Sequence, residues 1–328
     1  VVSDAVLAGV AAHGLPGPHA PLDMALDDAE VRDLVRRANR HRLLGLVVAA
    51  VADGALRVSE SSYVSIAEAH ESWSYHVLRA ERLLLELGER FEQAAIDYRL
   101  FKGSALAHSV YDDPAQRLYA DLDILVPSNE FDRASELVVS DIDGRRALPE
   151  LRPGFDEEFG KETLVKVELV EVDLHRTFVT GPIGLSIALD ELFADADSIT
   201  IGSREVPTLA PVPLFVQVCV NAAVGDFPIR LLSLRDVAEV ARVHDPDPRV
   251  VEAVARRWRC LSVVQRAVGE TWTRLELGPT ELSRWAASLR PGRFDELLMR
   301  SYLTPARSYT RPAASLAVIP GIRPRLRY

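Results

Sequence analysis

Three carboxylates set in apolar, strand-like segments are the residues of this 328-residue chain best suited to chemistry. In Ala120-Asp121-Leu122-Asp123-Ile124-Leu125-Val126 the two acids stand two positions apart, so an extended backbone turns both to one face and Leu122, Ile124 and Val126 to a core. Desolvating two like charges at that spacing is expensive without a compensating cation. Asp173 lies in a second β-like run, Val172-Asp173-Leu174, and a neighbouring strand would bring it to the pair. Carboxylates gathered in this way are what two-metal phosphoryl chemistry uses.

Lys102-Gly103-Ser104 stands ahead of the acids, between a predicted strand, Tyr98 to Phe101, and a predicted helix, Ser104 to Tyr111. Such a turn presents unpaired amides and the positive end of a helix dipole, which suit triphosphate oxygens, with Lys102 to neutralise them. Taken alone, Gly-Ser is an ordinary strand-to-helix turn with Ser104 as N-cap. Only Lys102, Lys161 and Lys166 of the 38 basic residues are lysine, so a lysine placed directly before Gly-Ser points to a need for a compact ammonium. Arg117 is either a phosphate clamp or a salt-bridge partner of the acids. His175 shares the face of Asp173 and either orients an acceptor or is a structural histidine. Asp236, on an amphipathic helix with Arg235 and Glu239, reads as part of a solvated face. Asp112-Asp113-Pro114 reads as a turn.

The elements that must position these residues form an α+β chain with a small mixed β-sheet. Residues 1–95 read as an N-terminal helical region after a Gly14 to Pro18 loop, with helices from Asp27 to Ala50 and from Ser59 to Ala95. Residues 96–206 alternate short strands and helices, with Ser128 as the N-cap of a helix through Val139. Two or three strands follow between Arg145 and Val179, where a change of polar phase requires a bulge or a tight turn near Leu169. Residues 207–301 read as helical, over Val212 to Val224, Ile229 to Val243, Pro248 to Leu275 and Thr280 to Leu289. Residues 302–328, broken by four prolines, read as an extended Pro/Arg-rich tail.

Composition narrows the function classes. Hydrophobic residues are 48% and charged residues 26%, ordinary for a globular protein. The run from Leu43 to Ala52 is half the roughly 20 residues a membrane span needs, and cytosol is the expected location. The net charge of −10 disfavours broad nucleic-acid binding, although the tail is basic. Cys219 and Cys260 have no zinc-like spacing and read as buried small hydrophobes. No pattern specifies an oligomeric state.

Phe101-Lys102-Gly103-Ser104-Ala105-Leu106, Tyr111, Arg117, Asp121 to Val126 and Val172-Asp173-Leu174-His175 resemble the uncharacterised bacterial nucleotidyltransferase family of the DNA polymerase beta-like superfamily, over about residues 98 to 180. Leu231 to Ala241, with Leu234 and Asp236, resembles that family's C-terminal helix. The resemblance implies a Mg²⁺-dependent transfer of an NMP from an NTP, with ATP the expected donor, to a hydroxyl of a small molecule, peptide or protein, releasing pyrophosphate. It implies two Mg²⁺ on Asp121, Asp123 and Asp173, with Asp173 also taking the acceptor proton. Triphosphate would lie on Lys102, Gly103, Ser104 and Arg117, and His175 and Asp236 would contact acceptor or nucleotide. Asn221 and Gly225 stand where that family would have histidines, and Arg176 where it would have an aromatic residue. The alternatives are an RNA- or tRNA-end nucleotidyltransferase and a non-catalytic nucleotide-binding protein.

Overall fold

The computed structural model describes residues 2–18, 22–140, 142, 144–147, 149–160 and 162–328. Among these the chain forms two sheets. Met24–Ala25 (β1) and Leu56–Arg57 (β2) pair in parallel. The main sheet contains Arg99–Phe101 (β3), Asp121–Leu125 (β4), Arg145–Arg146 (β5), Glu162–Val167 (β6), Val170–His175 (β7), Ala196–Ile201 (β8) and Arg204–Leu209 (β9). Its order is β5-β6-β7-β4-β3-β9-β8. β4 runs parallel to β7 and β3 parallel to β9, and the other pairs are antiparallel. The architecture is the expected α+β one, a mixed sheet among many helices.

Pattern alternation sets the register of the central pair. Leu122, Ile124, Val172 and Leu174 are fully buried against Leu84, Leu87 and Phe91 of the helix Glu60–Gln93 and Phe131, Ala134 and Val138 of the helix Phe131–Ser140. Each such side chain contributes about 1.5–3 kcal/mol on burial, so a one-residue slip would trade that gain for two carboxylates facing the core. Phe101 and Leu125, on the other face, join a second core built with the C-terminal helices.

The helix Glu60–Gln93 has 34 residues and, at 1.5 Å per residue, spans about 50 Å. It holds the segment that leads into β4. His70 Nε2 lies 3.1 Å from the Ala115 carbonyl, and His76 Nε2 lies 2.7 Å from that of Ala120. Glu81 accepts from the Tyr119 hydroxyl at 3.1 Å and faces His108 Nε2 at 2.7 Å.

Several boundaries differ from expectation for local reasons. The predicted Asp27 to Ala50 helix is two helices, Asp28–His41 and Leu44–Ala52, because Arg42 takes a left-handed conformation at φ 58°. Pro248 to Leu275 is likewise split into Pro248–Arg257 and Leu261–Arg274, with Arg259 at φ 53°. Ser128 opens a 3₁₀ turn, Ser128–Glu130, and makes no side-chain cap. The hairpin β8-β9 lies in a segment for which no strand was predicted. The tail is not extended: it forms helices Arg307–Val318 and Ile322–Arg327. Pro312 lies inside the first, Pro320 falls between them, and Pro324 falls in the first turn of the second, where an N–H has no intrahelical acceptor to lose. Cys219 and Cys260 are buried free thiols.

The phase change near Leu169 is a two-residue turn, Glu168-Leu169, between the partners Val167 and Val170. Even-numbered residues of β6 therefore oppose odd-numbered residues of β7, and Lys166 faces Glu171 at 3.8 Å. Exposed Glu168 sits at φ 52°, a conformation costing a non-glycine residue about 1–2 kcal/mol. Glu168→Gly is accordingly expected to raise stability by up to about 1 kcal/mol, the rest being returned as unfolded-state entropy. Urea unfolding measures this, and an unchanged or lower midpoint would show that the turn is not strained.

Candidate active site

The parallel register of β4 and β7 puts Asp121 opposite Glu171, Asp123 opposite Asp173 and Leu125 opposite His175. The acids at 121, 123 and 173 thus share one face, and the sheet edge-on neighbour β3 brings Phe101 opposite Asp123. Lys102 follows immediately at the start of the helix Lys102–Ser109. Asp123 and Asp173 are buried, at 4% and 7% exposure, and His175 is fully buried.

Asp123 Oδ1 accepts from the Lys102 ammonium and lies 2.7 Å from His175 Nε2. Lys102 Nζ is 3.3 Å from the same ring nitrogen. With Nε2 protonated, the imidazole donates to Asp123, and its Nδ1 lies 3.4 Å from Glu162. The ring packs edge-on against Phe101 with centroids 4.8 Å apart. Burial alone would raise the Asp123 carboxyl, but Lys102 and His175 hold it well below the usual carboxylate range. Burial would lower the Lys102 ammonium, and the facing acid more than reverses that.

The other two acids lack such compensation. Asp173 Oδ1 is buried without a hydrogen-bond partner among the described residues. Burial, then the charges of Asp123, Glu162 and Asp121, push its carboxyl up to about 8. Asp121 is raised as well, by burial and then by Asp123. Two neighbouring carboxylates that resist ionisation make a site short of positive charge. Asp123, Asp173 and His175 place ligand atoms within 4.8 Å of one another. Of these the two carboxylates, with the orphaned buried oxygen of Asp173, are the hard donors that suit a divalent cation such as Mg²⁺.

A narrow cleft of about 120 Å³ opens in front of the acids, lined by Lys102, Gly103, Arg117, Tyr119, Asp121 and Asp123 on the sheet side. Arg42, from the break between the two N-terminal helices, and Asn221, Asp226, Arg230 and Ser233, from the C-terminal region, complete it. A Cβ at Gly103 would stand 2.6 Å from Tyr119 Cβ, so only glycine lets the helix start this close to the loop before β4. Ser104 is fully buried and does not line the cleft, and its Oγ has no hydrogen-bond partner among the described residues.

Arg117 and Asp236 are joined to each other. The guanidinium donates from Nε to Oδ1 at 2.8 Å and from Nη2 to Oδ2 at 2.9 Å, and the Tyr111 hydroxyl donates to Oδ1 at 2.8 Å. Asp236 is 1% exposed, and Arg235 and Glu239 beside it are buried and paired, so this helix face is an interior seam rather than a solvated surface. Asp121 is not the ion-pair partner of Arg117.

Arg42, Asp226, Arg230 and Ser233 were not singled out in the sequence. Arg230 Nη1 lies 3.4 Å from Asp226, which also accepts from the Ser233 hydroxyl. Asn221 and Gly225 delimit a π-helical turn, and a Cβ at Gly225 would come 2.8 Å from Asn221 Oδ1. Arg176 is buried, away from the cleft lining, and donates to the Gly160 carbonyl at 2.9 Å.

The model of an uncharacterised nucleotidyltransferase family matches residues 27–269, well over half of the chain. No curated protein matches it significantly. The antibiotic-resistance factor ANT(2'')-Ia in solution is similar at 13% identity, over 55% of this chain and 90% of that one, with a TM-score of 0.38. ANT(2'')-Ia in complex with adenylyl-2''-tobramycin is similar at 14% identity, over 55% and 96%, with a TM-score of 0.38. An antigenic nucleotidyltransferase-like protein from Paracoccidioides brasiliensis is similar at 15% identity, over 64% and 92%, with a TM-score of 0.40.

Two expected outcomes separate the charged groups of this region. Asp236→Ala strands a buried guanidinium and should cost about 3–5 kcal/mol, whereas Arg230→Ala, at a partly exposed pair, should cost less than about 1 kcal/mol; equal losses in denaturant titrations would refute the assignment. Asp173→Asn replaces a buried carboxyl whose ionisation its surroundings oppose with a permanently neutral amide. It should raise the metal-free melting temperature by roughly 2–4 °C and cancel any stabilisation by Mg²⁺, and a retained Mg²⁺ response would place the cation elsewhere.

Proposed function

The chain belongs to the uncharacterised nucleotidyltransferase family, and on that premise we propose that it moves a nucleoside monophosphate from an NTP, with ATP the expected donor, to a hydroxyl-bearing small molecule, peptide or protein. The observation that carries this reading is the gathering of Asp121, Asp123 and Asp173 on one face, Asp121 and Asp173 having no ion-pair partner among the described residues, with Asp121 and Asp123 lining a cleft rimmed by Arg42, Lys102 and Arg230. Residues 96–206 would be the catalytic core and residues 207–301 the opposing wall, with the cytoplasm as the setting. Among the described residues no helix is long and apolar enough to cross a membrane.

In the reaction, the acceptor oxygen forms a bond to the α-phosphorus, the bond from that phosphorus to the bridging oxygen breaks, and pyrophosphate leaves. Bound Mg²⁺ would neutralise the phosphate oxygens and lower the pKa of the acceptor hydroxyl. Asp121, Asp123 and Asp173 would hold it, through oxygen donors of the kind Mg²⁺ prefers, and without a competing cation three carboxylates offer room for two ions. Asp173 would take the acceptor proton; in support, its buried Oδ1 has no hydrogen-bond partner among the described residues. The Gly103 amide at the helix start, with Arg42 and Arg230 across the cleft, would orient the triphosphate. His175 would act by holding Asp123 in place, and Arg117 and Asp236 by fixing the two walls of the cleft to each other.

Binding of each NTP with Mg²⁺ and release of pyrophosphate, compared between the native chain and an Asp121→Ala, Asp123→Ala double variant, tests the reading. Loss of the carboxylates should remove Mg²⁺-dependent nucleotide binding and lower pyrophosphate release by about 10³-fold or more, the several kcal/mol that metal stabilisation supplies. A folded native chain that binds no NTP would leave an interaction protein. Nucleotide binding without turnover on any hydroxyl acceptor would leave a non-catalytic binding protein.

A further inference from the structure

We propose that the ammonium of Lys102 fills one of the two cation positions offered by Asp121, Asp123 and Asp173, so that these acids take a single divalent ion; this rests on the nucleotidyltransferase reading. The geometry of Asp123 carries the argument. A carboxylate oxygen has two lone-pair directions, and Asp123 Oδ1 already faces two donors, the Lys102 ammonium and His175 Nε2 at 2.7 Å. That oxygen is saturated by the protein's own groups. Asp123 keeps only Oδ2 outside that pairing, and Asp121 and Asp173 have no ion-pair partner among the described residues.

Charge leads to the same count. With all three carboxylates ionised around a bound cation, Lys102 supplies one positive charge, and the remaining two negative charges match one divalent ion. Arg117 does not alter the sum, because its guanidinium is committed to Asp236. Glu162 lies on the far side of His175, 3.4 Å from Nδ1, where its charge faces the imidazole that donates to Asp123.

The backbone shows that this position is imposed. Lys102 sits at φ 57°, left-handed space that a lysine occupies only where the surroundings over-determine it. Gly103 immediately after is packed on Tyr119, which anchors the helix start, and the Phe101 ring lies 4.9 Å from Nζ. The ammonium is thereby confined over Asp123, in a chain that uses arginine for nearly every other positive charge. A compact ammonium fits where a planar guanidinium would have to fork across the acids.

Counting bound Mn²⁺ by electron paramagnetic resonance, at saturating metal and without nucleotide, tests the proposal by a readout independent of turnover. Wild type and Lys102→Arg are expected to bind one ion per chain, and Lys102→Met, which keeps an unbranched apolar side chain without the charge, two. Two ions in wild type would overturn the proposal whether or not the methionine variant folds. So would a single ion in a folded Lys102→Met. No ion in wild type would instead overturn the carboxylate metal site, and with it the reading on which the proposal stands.

Discussion

The structure depends on the cost of placing like charges opposite each other on paired strands. Asp123 and Asp173 are parallel-register partners, with Asp121 two residues away on the same face. Their position follows from the burial of Leu122, Ile124, Val172 and Leu174 on the opposite side, which is favourable enough to hold the register. The fold thus gathers negative charge as the price of its core, and the neighbouring chain responds with cations. Lys102 meets Asp123 directly, and Arg42 and Arg230 reach the same cleft from regions distant in sequence. What is left without an ion-pair partner among the described residues, at Asp121 and Asp173, is where the surroundings oppose ionisation.

Positioning of that site is shared among three parts of the chain. The helix Glu60–Gln93 steers the loop before β4 through His70, His76 and Glu81. The bidentate Arg117–Asp236 pair, with Tyr111, joins this loop to the C-terminal helix Leu231–His244. Arg235 extends the seam by donating to the carbonyls of Ala11 at 2.9 Å and His13 at 2.6 Å, and its partner Glu239 holds Arg242 at 2.7 Å. The two sides of the cleft are thus tied to each other by buried ion pairs rather than by loop contacts alone.

The acids were legible in the sequence because period-two alternation forces Asp121 and Asp123 to one face whatever the rest of the fold does, and Asp173 stands in an equally apolar run. The turn at Glu168-Leu169 was half legible: the phase change required a discontinuity, and only the pairing of Val167 with Val170 identified it as a turn. The cleft's far wall was not legible. Arg42 enters the site because the chain turns left-handed there, and nothing in Arg40-His41-Arg42 distinguishes that arginine from its neighbours. Asp236 looked solvated because an Asp-Glu-Arg helix face is solvated by default, and it is buried only because a partner 119 residues away supplies a matching guanidinium. The tail reads as extended because four prolines argue against helix, yet Pro324 falls in a first turn and the helix Arg307–Val318 accommodates Pro312 in its interior.

Diffraction from crystals grown with Mn²⁺ and a non-hydrolysable ATP analogue, recorded for anomalous signal, addresses the role of the three acids most directly. An anomalous peak coordinated by Asp121 and Asp173, with the triphosphate directed toward Gly103 and Arg230, is the expected result. Ordered nucleotide bound elsewhere on the protein, with no peak among those carboxylates, would contradict the assignment of this face as the catalytic one.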